Sequence, residues 1–169
     1  MANDTGLYYW SDGEQLLLFL SGRITANEAY ALYQHVEPWQ EEHPAGTIIA
    51  DLDAAYYIDS TTIGTLIRLH KEQKRQGGRL VLCNLSDEVE DIIRKTKLLR
   101  YFMIIVDERL RSLEQDAFKQ MEERHESLDS GFVLDAHNDI CRVVPELRPR
   151  FESLLAVLAA DQSRRNTSI

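Results

Sequence analysis

Apolar and polar positions change rhythm several times along the chain, and each change marks an element. Gly6 to Trp10 and Gln15 to Ser21 are two short strand-like runs, and Ser11-Asp12-Gly13 between them is a turn sequence. Together they predict an opening hairpin. Gly22-Arg23-Ile24 is expected to leave the sheet. Thr25-Ala26-Asn27-Glu28 has capping-box spacing, with Thr25 as N-cap and Glu28 at the third helical position. Ala29, Leu32, Tyr33 and Val36 then recur at helical spacing. That predicts a helix to about Glu41, kinked or ended by Pro38. Pro44-Ala45-Gly46 reads as a loop.

Thr47 to Leu52 is β-branched and apolar on both faces, as in a central strand of a mixed or parallel sheet. Tyr56-Tyr57 reads as loop packing. A second helix is predicted from Ser60 or Thr61, with Ile63, Leu66, Ile67 and His70 on one face and Arg68, Lys71, Glu72, Lys74 and Arg75 on the other. Gly77-Gly78 stops it. Arg79 to Leu85 is another strand. Ser86 caps a third helix, whose first turn carries Asp87, Glu88 and Glu90 where the helix dipole favours acids. Val89, Ile92 and Ile93 form its buried stripe. Leu98 to Phe102 is a connector, and Met103 to Val106 is a last strand. Alternating strands and helices define an α/β class, with right-handed crossovers laying the helices on a central mixed sheet of about five strands. That domain is expected over residues 1–110.

Residues 111–169 are expected to form a helical C-terminal extension. Glu108 to Glu126 is highly charged, with Leu110, Leu113, Ala117 and Met121 in an apolar line that predicts a helix. Asp129-Ser130-Gly131 should break it. A second helical stretch runs from Asp135 to about Ala160, interrupted around Pro145 and Pro149. Phe151, Leu154, Leu155 and Leu158 make a strong stripe that must pack on the sheet, the preceding tail helix or a second copy of the chain. The stripe therefore predicts either masking of a partner surface or self-association.

Composition narrows the function classes. The 169 residues carry a formal net charge of −9. Such a chain is poorly suited to non-specific nucleic-acid binding or to anionic membranes. Cys83 and Cys141 are far apart and lack CxxC spacing, so neither a disulfide framework nor a zinc site is expected. The first ten residues have no basic stretch followed by an apolar run, and no apolar run approaches a membrane span. A cytoplasmic location is the expectation.

The chemistry concentrates at Asp59-Ser60-Thr61-Thr62, where three hydroxyls stand beside one carboxylate at a helix start. Helix starts expose unpaired N–H groups and a partial positive charge, so an added phosphate is electrostatically welcome there. The same residues also serve as ordinary N-caps, with Ser60 or Thr61 capping the second helix. Asp51, Asp53 and Asp59 lack the ordered ligand pattern of a calcium loop. His137-Asn138-Asp139 with Cys141 sits in the helical tail without a catalytic motif, which suits a packing or solvated role. There is no P-loop and no GxGxxG. No metal and no cofactor are expected.

Five pieces, in order, carry a family resemblance: Ser21-Gly22-Arg23-Ile24-Thr25, Ile48-Ile49-Ala50-Asp51-Leu52, Ile58-Asp59-Ser60-Thr61-Thr62-Ile63-Gly64, Gly77-Gly78-Arg79-Leu80-Val81-Leu82 and Lys97-Leu98-Leu99-Arg100-Tyr101-Phe102. Over roughly residues 6–110 the chain resembles STAS domain proteins of the anti-sigma-factor-antagonist type. The resemblance implies the STAS fold and a module that performs no catalysis itself. It implies an anti-sigma factor that is a serine kinase of the histidine-kinase-like ATPase type, and a PP2C-type phosphatase, as partners. The phospho-acceptor falls on Thr61, with Ser60 as the neighbouring alternative. The implied partner face includes Gly22, Arg23, Thr25, Tyr57, Asp59, Ser60, Thr61, Thr62 and Gly64. Thr62 stands where the family usually has glycine, which narrows access and adds a hydroxyl. Two other readings stay open. One is an unphosphorylated scaffold that forms a homodimer through its tail. The other is a nucleotide- or small-ligand-binding domain using Asp51, Asp59 and the hydroxyl turn.

Overall fold

The computed structural model describes residues 4–113, 117–122 and 127–168. The chain opens with β1 (Gly6–Ser11) and β2 (Gln15–Ile24), which form the expected antiparallel hairpin. Helix α1 (Ala26–Glu42) follows, then β3 (Thr47–Asp51), β4 (Ala55–Ile58) and α2 (Ser60–Arg75). Next come β5 (Arg79–Cys83), α3 (Asp87–Lys95), β6 (Met103–Ile105) and the short α4 (Glu108–Arg111). The tail contributes β7 (Lys119–Gln120), α5 (Ser130–Val143), a 3₁₀ turn at Pro145–Leu147 and α6 (Arg148–Asn166).

The sheet runs β6-β5-β3-β2-β1-β7 and is mixed: β2, β3, β5 and β6 are parallel, while β1 and β7 are antiparallel additions. Its parallel part advances in one direction, so right-handed crossovers put α1, α2 and α3 on one face. Alternate residues Leu16, Leu18, Leu20, Ile48, Ala50, Leu80 and Leu82 point into a core completed by Leu32, Val36, Leu66, Ile67, Val89 and Ile93. Ile140 and Val144 of the tail belong to the same core.

Seven strands are present among the described residues, against about five expected. Ala55–Ile58, where Tyr56-Tyr57 reads from sequence as loop packing, is a strand because β2 does not stop at Ser21. Gly22, Arg23 and Ile24 stay in β2 and pair with β4 in parallel, across a register shift between Gly22 and Arg23. Gly22 holds φ +81°, and a Cβ there would fall 2.7 Å from the Thr5 Cα. Pro38 does not end α1, which continues to Glu42. It sits on the exposed face, and the last turn is anchored by Trp39 Nε1 donating to Ser11 Oγ at 3.0 Å and by buried Gln40 Nε2 donating to the Leu69 carbonyl at 2.8 Å. β5 ends at Cys83, before the left-handed Asn84.

The first tail helix is corrected most. Among the described residues, α-helix in this stretch is limited to Glu108–Arg111. Lys119–Gln120 instead adds a strand to the free edge of β1, and Met121 beyond it is buried in the core. The edge pairing lets Met121 reach the core and covers the open side of β1. Parts of that expected helix, residues 114–116 and 123–126, lie outside the described residues. Asp129 does not break a helix; it caps α5, accepting from the Gly131 N–H at 3.0 Å. The Pro145 interruption is real and turns the chain so that α6 runs back along α5, with Phe151 near His137 and Gln162 near Asp129. Among the described residues no helix is long and apolar enough to cross a membrane.

Candidate functional site: the start of α2 under the tail

β4 delivers the chain to the start of α2, and the cap is Asp59 rather than Ser60 or Thr61. Asp59 is extended and its Oδ1 accepts from the Thr62 N–H at 2.8 Å. The Thr62 hydroxyl faces inward, shared between Asp59 Oδ1 at 2.8 Å and the Ile24 carbonyl at 3.1 Å. It therefore ties α2 to β2 and offers nothing at the surface. A glycine could not make this tie, which is a physical reason for threonine here. Thr61 is 4 % exposed. Ser60 is the half-buried hydroxyl of the three.

The tail accounts for what faces Ser60. His137 of α5 is buried, and its Nε2 lies 2.8 Å from Ser60 Oγ. Its Nδ1 lies 2.7 Å from the Val133 carbonyl. A carbonyl only accepts, so Nδ1 carries a proton, and in the neutral ring the Ser60 hydroxyl donates to Nε2. One turn further along α2, Gly64 meets the backbone of Ala136: a Cβ on Gly64 would sit 2.2 Å from the Ala136 carbonyl oxygen. Helix-to-helix approach this close needs the missing side chain.

The edges of this contact are aromatic and ionic. Phe132 of α5 packs against Tyr30 and Tyr33 of α1, with ring centroids 4.9 and 5.4 Å apart. Asp135 pairs with Arg68 at 3.6 Å and Asp139 with Lys71 at 3.3 Å. Arg68 also lies over the Tyr33 ring at 4.7 Å. Tyr33 donates to Glu37 at 2.9 Å, and burial together with that carboxylate pushes its pKa up to about 12. Beyond Lys71 the exposed face of α2 opens into a groove of about 1010 Å³ bordered by Glu37, Arg75, Arg100, Tyr101 and Arg142. Glu72 there is held down to about 2 by hydrogen bonds from Arg75 and Gln76. Burying Phe132, Ile140 and Val144 stabilises the docked helix by about 1.5–3 kcal/mol for each side chain, as an upper bound.

The expected partner face is thus split in two. Arg23 is exposed, with its guanidinium 3.9 Å over the Tyr57 ring, and Tyr56 beside it is 40 % exposed. Thr25 makes its capping box with Glu28, and Gly22 is buried. Ser60 and Gly64 meet α5, while Thr61 and Thr62 are sealed. Phe132, Ala136, His137 and Asp139 complete the site, and the sequence reading assigned none of them to it. Phe132, Ala136 and Ile140 fall at helical spacing, and that stripe was the available signal; the helix was expected to start only at Asp135.

The acids at the strand ends are otherwise employed. Asp51 accepts from Asn84 Nδ2 at 2.8 Å and from the Asp53 N–H at 3.0 Å; burial raises its pKa against those bonds. Asp53 pairs with Arg111 at 3.2 Å. No group of three or more His, Cys, Asp or Glu among the described residues comes together as a metal set.

A parallel core with an antiparallel hairpin at one edge and an acid-capped hydroxyl turn opening α2 defines a STAS module. The STAS domain model matches residues 11–117, and the chain belongs to that family. The solved anti-sigma factor antagonist SpoIIAA in its unphosphorylated form superposes with a TM-score of 0.54 at 18 % identity, covering 64 % of this chain and 98 % of its own. TM1081 of Thermotoga maritima, described as a candidate anti-sigma factor antagonist, gives 0.53 at 20 % identity over 63 % of this chain and 92 % of its own. SpoIIAA of Bacillus, a cell fate determinant, in its phosphorylated form gives 0.50 at 18 % identity over 62 % and 96 %. At these identities the likeness establishes the fold.

Proposed function

We propose that this chain is a reversible protein-docking module of the anti-sigma factor antagonist type. Its partner is an anti-sigma factor that is a serine kinase of the histidine-kinase-like ATPase class, and a PP2C-type phosphatase resets it. The chain supplies no catalysis; the kinase brings the ATP. The observation that carries the reading is the start of α2. An acid-capped helix start carries half-buried Ser60 and sealed Thr61, with the surface residues Arg23, Tyr56 and Tyr57 on β2 and β4 that lead into it, on the fold of a protein solved both with and without its phosphate. A phosphoryl group at that position adds about −1.5 to −2 charge. The helix N-terminus offsets that charge for the fold, while Asp59 and an acidic or close-fitting partner surface repel it. The modification therefore acts on the complex rather than on folding.

The family position of the acceptor is Thr61, and Ser60 is the more accessible hydroxyl in this conformation. The test is incubation of the full chain with Mg-ATP and a purified histidine-kinase-like ATPase domain, read by intact mass and fragmentation. One phosphate per chain within residues 60–61 is expected. Its loss in Thr61→Ala assigns Thr61; its survival there and loss in Ser60→Ala assigns Ser60. Thr61→Glu is expected to weaken kinase binding. A kinase that binds Thr61→Glu as tightly as the parent sinks the charge-release mechanism.

A further inference from the structure

The chain already holds an answer to what kind of surface docks on α2, because one of its own helices is seated there. We propose that α5 is a displaceable plug. The resting chain fills its docking face with an acidic amphipathic helix, and the partner that belongs there presents a helix of the same chemistry. The inference rests on the reading that the start of α2 is the docking face.

The recognition pattern is read from the contacts. An aromatic residue, Phe132, enters the shelf formed by Tyr30 and Tyr33. One turn later the backbone of Ala136, a small residue only 1 % exposed, sits on the Gly64 notch, where any side chain on Gly64 would strike it. His137 beside it accepts from Ser60. Two acids one turn apart, Asp135 and Asp139, meet the basic ridge of Arg68 and Lys71. Aromatic anchor, small contact and flanking acids together describe a helix-in-groove ligand.

Two features make this contact resemble an interface rather than a permanent core. Its buried face includes polar side chains, His137 and Asp139, each with one partner on α2 that water can replace on separation and another within α5 that is kept. Ser130 at the start of α5 buries its hydroxyl without a hydrogen-bond partner among the described residues, a cost carried by the docked tail. Ser60 couples the plug to modification. Its proton is the one donated to His137, and at 2.8 Å there is no room for a phosphoryl group between them. A phosphate on Ser60 therefore removes this hydrogen bond and weighs against a docked α5.

Neither arm of the test uses a kinase, so the plug stands or falls apart from the phosphorylation assay. In native-state hydrogen exchange of the parent chain, the amides of α5 are expected to exchange at least about tenfold faster than those of β3 and β5, through an opening that leaves the sheet intact. Equal protection of α5 and the sheet overturns the proposal. In the second arm, a labelled synthetic peptide of residues 129–144 is titrated into the full-length parent and into Ala136→Arg, which forces a long charged side chain into a position only 1 % exposed when α5 is docked. Because a tethered helix competes at millimolar effective concentration, the peptide should bind the variant at least about tenfold tighter than the parent. Equal binding to both overturns the proposal. Should Ala136→Arg fail to fold, Asp139→Lys, which sets like charge against Lys71, replaces it with the same two outcomes. Peptide binding to the opened chain, together with a negative kinase assay, would support the plug and sink the kinase reading.

Discussion

The two tail helices invert what their sequences advertise. α6 carries the stronger apolar run, Phe151, Leu154, Leu155 and Leu158, yet none of its residues is buried; Leu154 is 39 % and Val157 66 % exposed. α5 has the more mixed sequence, yet Phe132, Ala136, His137, Asp139, Ile140 and Cys141 are all buried. Hydrophobicity says that a helix wants cover, and the shape of the available surface decides which helix gets it. The Gly64 notch and the tyrosine shelf of α1 accept a helix with an aromatic residue and an alanine one turn apart. α6 lies outside that contact and rests on α5.

Substitutions can break the comparison at its strongest point first. Phe132→Ala is expected to cost about 3 kcal/mol in denaturant unfolding, the range for a buried aromatic truncated to alanine. A cost under about 1 kcal/mol would mean α5 is not docked as described. Gly64→Ala comes next, with a reversed sign. Within a helix that change ordinarily stabilises by about 0.5–1 kcal/mol, but the collision with Ala136 should make it destabilise by about 1–3 kcal/mol. Combined with removal of the tail after residue 128, the ordinary sign should return. Leu154→Ala on α6 is expected to stay within about 0.5 kcal/mol of the parent. A larger loss at Leu154 would instead point to a second copy covering α6, and light scattering would then register a dimer.

The smallest expected effect is on the groove side of α2. Glu72 is ionised in the fold far below its ordinary value of 4.5, down to about 2. Its folded pKa is depressed, so the stability it contributes is present above pH 4.5 and fades as pH falls through about 2. A carboxyl-carbon NMR titration should place its midpoint near that value. Glu72→Gln should flatten the acid limb of the stability curve slightly, because the side chain is substantially exposed and solvent screens it. A midpoint near 4.5 would refute the hydrogen bonds from Arg75 and Gln76 in solution.

Elements with a local signal were legible from the chain. The Thr25–Glu28 capping box, the Ser86 cap with its acidic first turn, and the apolar strand at Thr47 to Leu52 each announce themselves within a few residues, and each is present. The elements that were missed lack such a signal. β4 is a four-residue strand that exists because β2 overruns its hairpin, and β7 is two residues laid on the edge of β1. Pro38 shows the converse: a strong local breaker was overridden by Trp39 and Gln40 anchoring the turn beyond it.

Of the site, the sequence by itself determined the acid-hydroxyl turn, its place at a helix start and the α/β frame that carries it. Caps and periodicity are encoded within one or two turns of chain. Only the tertiary structure decided that Thr62 faces inward to Ile24, that Thr61 is sealed, and that Ser60 meets a histidine 77 residues away. Such contacts depend on how two surfaces fit, here a glycine notch under an alanine. Complementarity between distant segments leaves no periodic trace in either one.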